Sequence, residues 1–100
     1  MQQRREERAR AIQASIGLVL LHDWDPIGIQ DVPEAQDEYD SYVAGIYRLL
    51  VSGATEAEIG EHLCHVEQDR MGLSPKRARA MTVAAKLREL DVDLGGVGAP

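Results

Sequence analysis

Apolar side chains recur at steps of three and four residues in four segments of the chain, a spacing that places them on one face of a helix. The segments cover about residues 3–22, 33–52, 55–71 and 74–90. The apolar face of the first segment consists of Ala9, Ile12, Ile16, Val19 and Leu20, and that of the second consists of Tyr39, Val43, Ile46 and Leu50. The face of the third consists of Ile59, Leu63 and Val66, and that of the fourth consists of Ala80, Val83, Ala84, Leu87 and Leu90. No segment alternates apolar and polar residues as a half-buried strand does, so the pattern predicts an all-α fold.

Capping residues predict where three of these helices begin. Asp31 is a candidate N-cap two residues before Pro33, which suits a first helical turn. Thr55 and Glu58 have the spacing of a capping box, in which each side chain bonds the other's backbone amide. The pair Ser74-Pro75 predicts an N-cap followed by proline at the first helical position.

Glycines predict where the second and third helices end, and the links that follow are short. Gly53 and Gly72 each come directly after a predicted helix. Short links favour neighbouring antiparallel helices, so the second, third and fourth helices are expected to follow one another in space. We therefore expect a compact four-helix bundle over residues 1–94, with a disordered tail over residues 95–100.

The link after the first helix is longer and unusually apolar, beginning Trp24-Asp25-Pro26-Ile27-Gly28-Ile29. Pro26 and Gly28 favour turns, and a link with this much apolar surface is expected to lie against the helices. The structural interpretation has Trp24 covering one end of the bundle while Asp25 accepts bonds from loop amides. The alternative places both residues in a partner-binding surface.

Composition predicts one small cytoplasmic domain. The chain has 100 residues, of which 44% are hydrophobic and only 4% aromatic, so aliphatic side chains must fill the core. The apolar stretch over residues 16–21 is too short for a membrane span. Cys64 is the only cysteine, which indicates a reducing compartment.

The distribution of charge suggests a binding surface. The net charge is −6, which disfavours a nucleic-acid-binding protein. No Lys or Arg lies between Arg10 and Arg48, an interval with seven carboxylates. Within it, the run that contains Asp37, Glu38 and Asp40 has two interpretations. It is a solvated face near a helix N-terminus, or it docks a basic partner, with Tyr42 as an aromatic anchor. The docking hypothesis comprises Trp24, Asp25, Asp37, Glu38, Asp40 and Tyr42.

No residue pattern predicts a metal site, a cofactor or catalysis. His62, Cys64 and His65 are metal-ligating types, but on a helix Cys64 points away from the two histidines and no second ligand pair follows. Ser41 and Ser52 lack the glycines of a nucleophile elbow. We therefore expect a protein that is not an enzyme.

Three strings occur in the order and spacing of a known family. Trp24-Asp25-Pro26-Ile27-Gly28-Ile29, then Glu38-Tyr39-Asp40, then Met71-Gly72-Leu73 resemble the YugE-like family of small bacterial helical domains of unknown function. The resemblance covers about residues 12–73. It implies a small multihelical bundle and supplies no activity or catalytic residue; similar short acidic proteins include immunity partners of toxins.

The leading functional hypothesis is a non-catalytic protein-binding module with a basic protein partner, for example an immunity protein that neutralises a toxin. Two alternatives stay open. One is a self-associating structural or regulatory subunit, in which the basic fourth helix of one copy meets the acidic second helix of another. The other is a small enzyme with an unrecognised site.

Overall fold

The computed structural model describes the backbone of residues 2–90 and the side chains of residues 6–90. It contains four α-helices: α1 (Gln2–Val19), α2 (Asp40–Val51), α3 (Glu56–His65) and α4 (Arg77–Arg88). Because residues 2–90 contain no strand, the predicted all-α fold with four helices is confirmed. The predicted domain limit at residue 94 and the tail over residues 95–100 lie outside the described residues.

The core is built from the apolar faces that the spacing predicts. In the second, third and fourth predicted segments, every residue named for those faces is buried except Leu90, which is partly buried and packs against the core. On α1, the fully buried positions are Ile12, Ile16 and Leu20, and Ala9 and Val19 are half-buried. No helix within residues 2–90 has the length and the apolar character needed to cross a bilayer.

Two helices are extended by five-residue π-helical turns, which the sequence pattern does not predict. Leu20–Trp24 follows α1, and Val66–Arg70 follows α3. In each turn a backbone amide bonds a carbonyl five residues earlier, from Asp25 to Leu20 at 2.9 Å and from Met71 to Val66 at 3.1 Å. A π turn widens the helix locally and shifts the positions of the residues after it. The turn after α1 brings Leu20, Leu21 and Trp24 into the core together.

The start of the second helix differs from the prediction. Pro33–Ala35 forms a 3₁₀ turn, further turns follow, and α2 begins at residue 40 without a side-chain cap. Asp31 is not the N-cap, because the turn begins after the extended residue Val32. The segment stays in tight turns because the Gln36 side chain is bonded to the preceding loop, within 3.3 Å of the carbonyl oxygens of residues 29, 30 and 32.

The third helix begins as predicted and the fourth does not. Thr55 and Glu58 form both bonds of the capping box, at 3.1 and 2.8 Å. Ser74 is not a cap, since α4 starts after Lys76. The Lys76 amide donates to the Glu67 carboxylate at 3.4 Å, so the chain stays extended until it has passed that carboxylate.

Helix pairing follows the chain order only in part. The helix α3 packs most closely on α4, as their short link predicts, whereas α2 packs mainly on α1 rather than on α3. Gly60 of α3 is buried where α3 meets α4. A Cβ atom at this position would lie 2.4 Å from the Met81 sulfur, so a larger residue here requires the end of the Met81 side chain to move.

Gly60→Val is expected to lower the free energy of unfolding by about 1–3 kcal/mol, because its branched side chain displaces the Met81 thioether from its place between α3 and α4. Gly45→Ala is the control. A Cβ atom there meets the His62 ring at an ordinary 3.6 Å, so the change is expected to stabilise α2 by about 0.5–1 kcal/mol. Urea denaturation measures both. A Gly60→Val protein as stable as the wild type would contradict the close approach of the two helices.

Candidate functional site

The buried centre of the molecule is a carboxylate that the sequence analysis does not single out. Glu67 is completely buried. Its Oε2 accepts a hydrogen bond from Trp24 Nε1 at 3.2 Å, and its Oε1 accepts one from Arg79 Nη2 at 2.8 Å. The Lys76 amide also faces Oε1. A buried carboxylate is tolerated only when donors and an opposite charge surround it, and here three donors do so.

Trp24 belongs to this buried centre and not to an exposed docking surface. Its side chain is 1% exposed, and its ring meets Tyr39 at a centroid distance of 5.4 Å. Tyr42 presents its edge to the same indole at 6.2 Å, in a T-shaped arrangement that aromatic rings prefer. A partner could not reach Trp24 in this structure. The structural interpretation of Trp24 therefore fits the geometry, and Trp24 leaves the docking set.

Asp25 organises the loop after the first helix. Its backbone has a φ of 35°, in the left-handed region that Asp adopts more readily than most residues. Its Oδ1 accepts from the Ile29 amide at 2.7 Å and from the Tyr39 hydroxyl at 2.8 Å, and its Oδ2 accepts from the amide and the side chain of Gln30. The Tyr39 hydroxyl in turn accepts from the Ile27 amide at 3.2 Å. Asp25 thus accepts the loop bonds expected of it, which gives it a structural role in this loop.

The ionisation of Asp25 and Tyr39 follows from this geometry. Burial alone raises the pKa of Asp25, but its hydrogen bonds with Ile29, Tyr39 and Gln30 outweigh burial and lower that pKa overall. Burial raises the pKa of Tyr39 well above its ordinary value, and the negative charge of Asp25 adds to the effect. The hydroxyl therefore stays protonated and donates to a charged carboxylate, which is the stronger kind of hydrogen bond.

The remaining predicted site residues lie on the surface, in and just after the turns before α2. Asp37 and Glu38 are exposed in those turns, and Asp40 is the exposed first residue of α2. Tyr42 is half-buried because one edge of its ring contacts Trp24. The structure therefore brings Asp37, Glu38 and Asp40 together on one exposed segment.

These carboxylates belong to a larger set without ion pairs. Five acidic residues between positions 31 and 40 are exposed, and none of them forms an ion pair with a side chain in the described part of the chain. They are Asp31, Glu34, Asp37, Glu38 and Asp40. We call this set the acidic segment.

Acidic residues elsewhere are bound to the basic fourth helix. Asp23 meets Lys86 at 2.8 Å, and Glu61 meets Arg77. Glu67 meets Arg79, as described above. Three of the four basic side chains of α4 are thus bound to acidic residues outside the acidic segment. Among the residues whose side chains the structure describes, residues 31–40 are the densest run of acidic side chains without an ion pair.

Glu67 and Arg79 are the functional residues that sequence reasoning missed. A signal was present, because Glu67 stands four residues after Leu63 and so continues the apolar face of the third helix. A carboxylate at an apolar position indicates a buried acid with a partner. Its partners, however, are 43 and 12 residues away in sequence, and no local pattern identifies them.

His62, Cys64 and His65 occupy different environments. Cys64 is buried, and burial together with the charge of Glu67 raises its thiol pKa, so it is a poor nucleophile. Burial lowers the pKa of His62, while the exposed His65 bonds Asp69 at 3.0 Å. Among the residues for which the structure gives side chains, no three His, Cys, Asp or Glu are grouped so that they could bind a metal ion.

Comparison with protein families, characterised proteins and solved structures yields no match to this chain. The resemblance to the YugE-like family therefore stays an expectation.

Trp24→Ala is expected to destabilise the protein by about 3–5 kcal/mol, because it removes a large buried ring and one donor to Glu67. Trp24→Phe keeps an aromatic ring and deletes the N–H group, so a smaller loss of about 1–3 kcal/mol is expected. Chemical denaturation measures both values. Full stability of Trp24→Ala together with lost partner binding would instead place this side chain at an interface.

The contribution of Asp25 to stability is expected to depend on pH. Because its pKa is lower in the folded protein than the ordinary 3.8, the stabilisation is complete above that ordinary value and is lost as pH falls through the folded-state pKa. Asp25→Asn retains a side chain that tolerates the left-handed backbone. The difference in unfolding free energy between wild type and variant should therefore be larger near pH 7 than near pH 2. A difference that is constant with pH would contradict this role.

Proposed function

We propose that this chain is a non-catalytic protein-binding module that docks a basic protein partner through its acidic segment. The observation that carries the proposal is the set of five exposed carboxylates with no ion pair among the described side chains. A concentrated field of one sign attracts an oppositely charged surface over about 8–10 Å at physiological salt. Such complementarity accelerates encounter and fixes orientation.

The segment is also held on a firm base, which a docking surface needs. Gln36 ties its first turns to the preceding loop, and Tyr39 is bonded to Asp25. Asp37 lies between these two anchors, and Asp40 starts α2 directly after them. Less side-chain and backbone entropy is lost on binding when the contacting residues are already positioned.

The most specific form of the proposal is an immunity protein that neutralises a basic bacterial toxin in the cytoplasm. The string Trp24-Asp25-Pro26-Ile27-Gly28-Ile29 resembles the YugE-like family. This resemblance supports the proposal because similar short acidic proteins include immunity partners of toxins. A toxin gene immediately upstream of the gene for this chain would support it.

The alternative of self-association through the fourth helix has less support. It requires basic side chains of α4 to meet the acidic segment of another copy. Three of the four basic side chains of α4, those of Arg77, Arg79 and Lys86, already form ion pairs within their own chain. Those three pairs would have to break before the side chains could meet another copy, which favours a separate basic partner.

The test compares two charge-reversed proteins with the wild type. In the first, Asp37→Lys and Asp40→Lys remove charge from the acidic segment. In the second, Glu56→Lys and Glu89→Lys make the same change in net charge at exposed positions elsewhere. Glu56 is the first residue of α3, as Asp40 is of α2, so both proteins lose a similar helix-dipole interaction of about 0.3–1 kcal/mol. Circular dichroism should show that both remain helical.

A partner captured from native-host lysate and identified by mass spectrometry is then mixed with each protein in stopped-flow experiments over a salt series. The Asp37→Lys and Asp40→Lys protein is expected to associate about tenfold more slowly at low salt, with a weaker salt dependence. The Glu56→Lys and Glu89→Lys control should stay close to wild type. Equal association rates for all three proteins at every salt concentration would show that the acidic segment is only a solvated surface.

A further inference from the structure

An open groove lies between α1 and α2, beside the acidic segment. Its volume is about 570 Å³, and Ala14, Gly17, Leu18 and Ala44 form much of its apolar surface. Leu18 is 58% exposed, more than any other large hydrophobic side chain for which the structure gives exposure. An exposed leucine beside a groove lined by small residues is the arrangement that receives apolar side chains of a partner.

Gly17 lines the groove without contributing a side chain. A Cβ atom at Gly17 would lie 3.8 Å from the side chain of Val43, another lining residue, which is an ordinary contact. Alanine therefore fits here without a clash and adds a methyl group to the lining. This makes Gly17→Ala a change that alters the groove while leaving the contact between α1 and α2 intact.

The charged residues of the groove lining are Asp40 on α2 and Arg10 on α1. Asp40 is also the last residue of the acidic segment, so the groove and the acidic segment adjoin on the α2 side. The lining residues run from Arg10 on α1 to Leu21 in the π-helical turn that follows it, which at 1.5 Å per residue is about 17 Å, or three helical turns.

We propose that the groove between α1 and α2 receives one amphipathic helix of the basic partner, with apolar side chains on Leu18 and Lys or Arg side chains against the acidic segment. This inference rests on the proposed function and adds the form of the partner's binding element. A helix laid in a groove presents apolar residues at i, i+3, i+4 and i+7, and about three turns match the length of this groove. A second copy of the chain fits less well, since the net charge of −6 and two facing acidic segments would repel.

The test uses a synthetic helical peptide with leucine at i, i+3, i+4 and i+7 and lysine elsewhere. A peptide of the same composition in shuffled order, without an apolar face, is its control. The ¹⁵N-labelled full chain is titrated with each peptide, and amide shifts are followed by NMR. Specific shifts at Gly17, Leu18 and Ala44 with the amphipathic peptide alone are expected. Equal shifts with both peptides, or shifts confined to the acidic segment, would contradict the proposal that the groove binds an amphipathic helix.

Three variants separate this inference from the proposed function. Leu18→Gln and Gly17→Ala should each weaken peptide binding, by about tenfold for Leu18→Gln, since it removes one large apolar contact. Val51→Gln changes an apolar side chain that is 48% exposed and does not line the groove, so it should bind as wild type does. The protein carrying Asp37→Lys and Asp40→Lys is measured alongside.

The pattern of losses decides between the two proposals. If that charge-reversed protein loses binding and Leu18→Gln does not, the groove is not used and the acidic docking function stands. If neither loses binding, both proposals fail. A wild-type dimer in sedimentation experiments that Leu18→Gln dissociates would assign the groove to a second copy and overturn the amphipathic-helix proposal.

Discussion

The Glu67 carboxylate is the interaction on which the rest of the structure depends. It has no access to solvent, and its donors come from three places: Trp24 after α1, Arg79 on α4 and the Lys76 amide just before α4. A charge buried without such donors costs several kcal/mol, so the ends of α1 and α3 and the start of α4 must meet where they do. The two π-helical turns lie at this meeting point, since one ends at Trp24 and the other contains Glu67.

A chain of contacts connects the buried Glu67 to the surface. Trp24 bonds Glu67 and stacks on Tyr39, and Tyr39 bonds the carboxylate of Asp25, the residue next to Trp24. Asp25 and Gln36 then hold the loop that leads into the acidic segment. A surface formed by turns is usually mobile, but this one is tied to the core through a continuous set of contacts. The buried centre thus anchors the backbone from which these carboxylates extend.

The fold also separates paired from unpaired charge. Three of the four basic residues of α4 bind acids near α1 and on α3 and its extension, whereas the acidic residues of 31–40 form no ion pair with a described side chain. The apolar groove opens at the edge of that uncompensated surface, where Asp40 belongs to both. An apolar site bordered by one sign of charge combines affinity from burial with orientation from electrostatics. This combination underlies the proposed docking of a basic amphipathic helix.

The sequence by itself determined the all-α class, the buried faces of the four helices, the capping box at Thr55 and the helix end at Gly53. These features depend on residues a few positions apart, so the spacing of residue types in the sequence predicts them. Only the tertiary structure decided the π-helical turns, the late starts of α2 and α4, and the burial of Glu67. Each of these depends on bonds between distant residues, such as the one from Trp24 to Glu67 across 43 positions. The acidic segment depends on both levels. Its charge can be predicted from the sequence, whereas its lack of ion-pair partners results from how the helices pack.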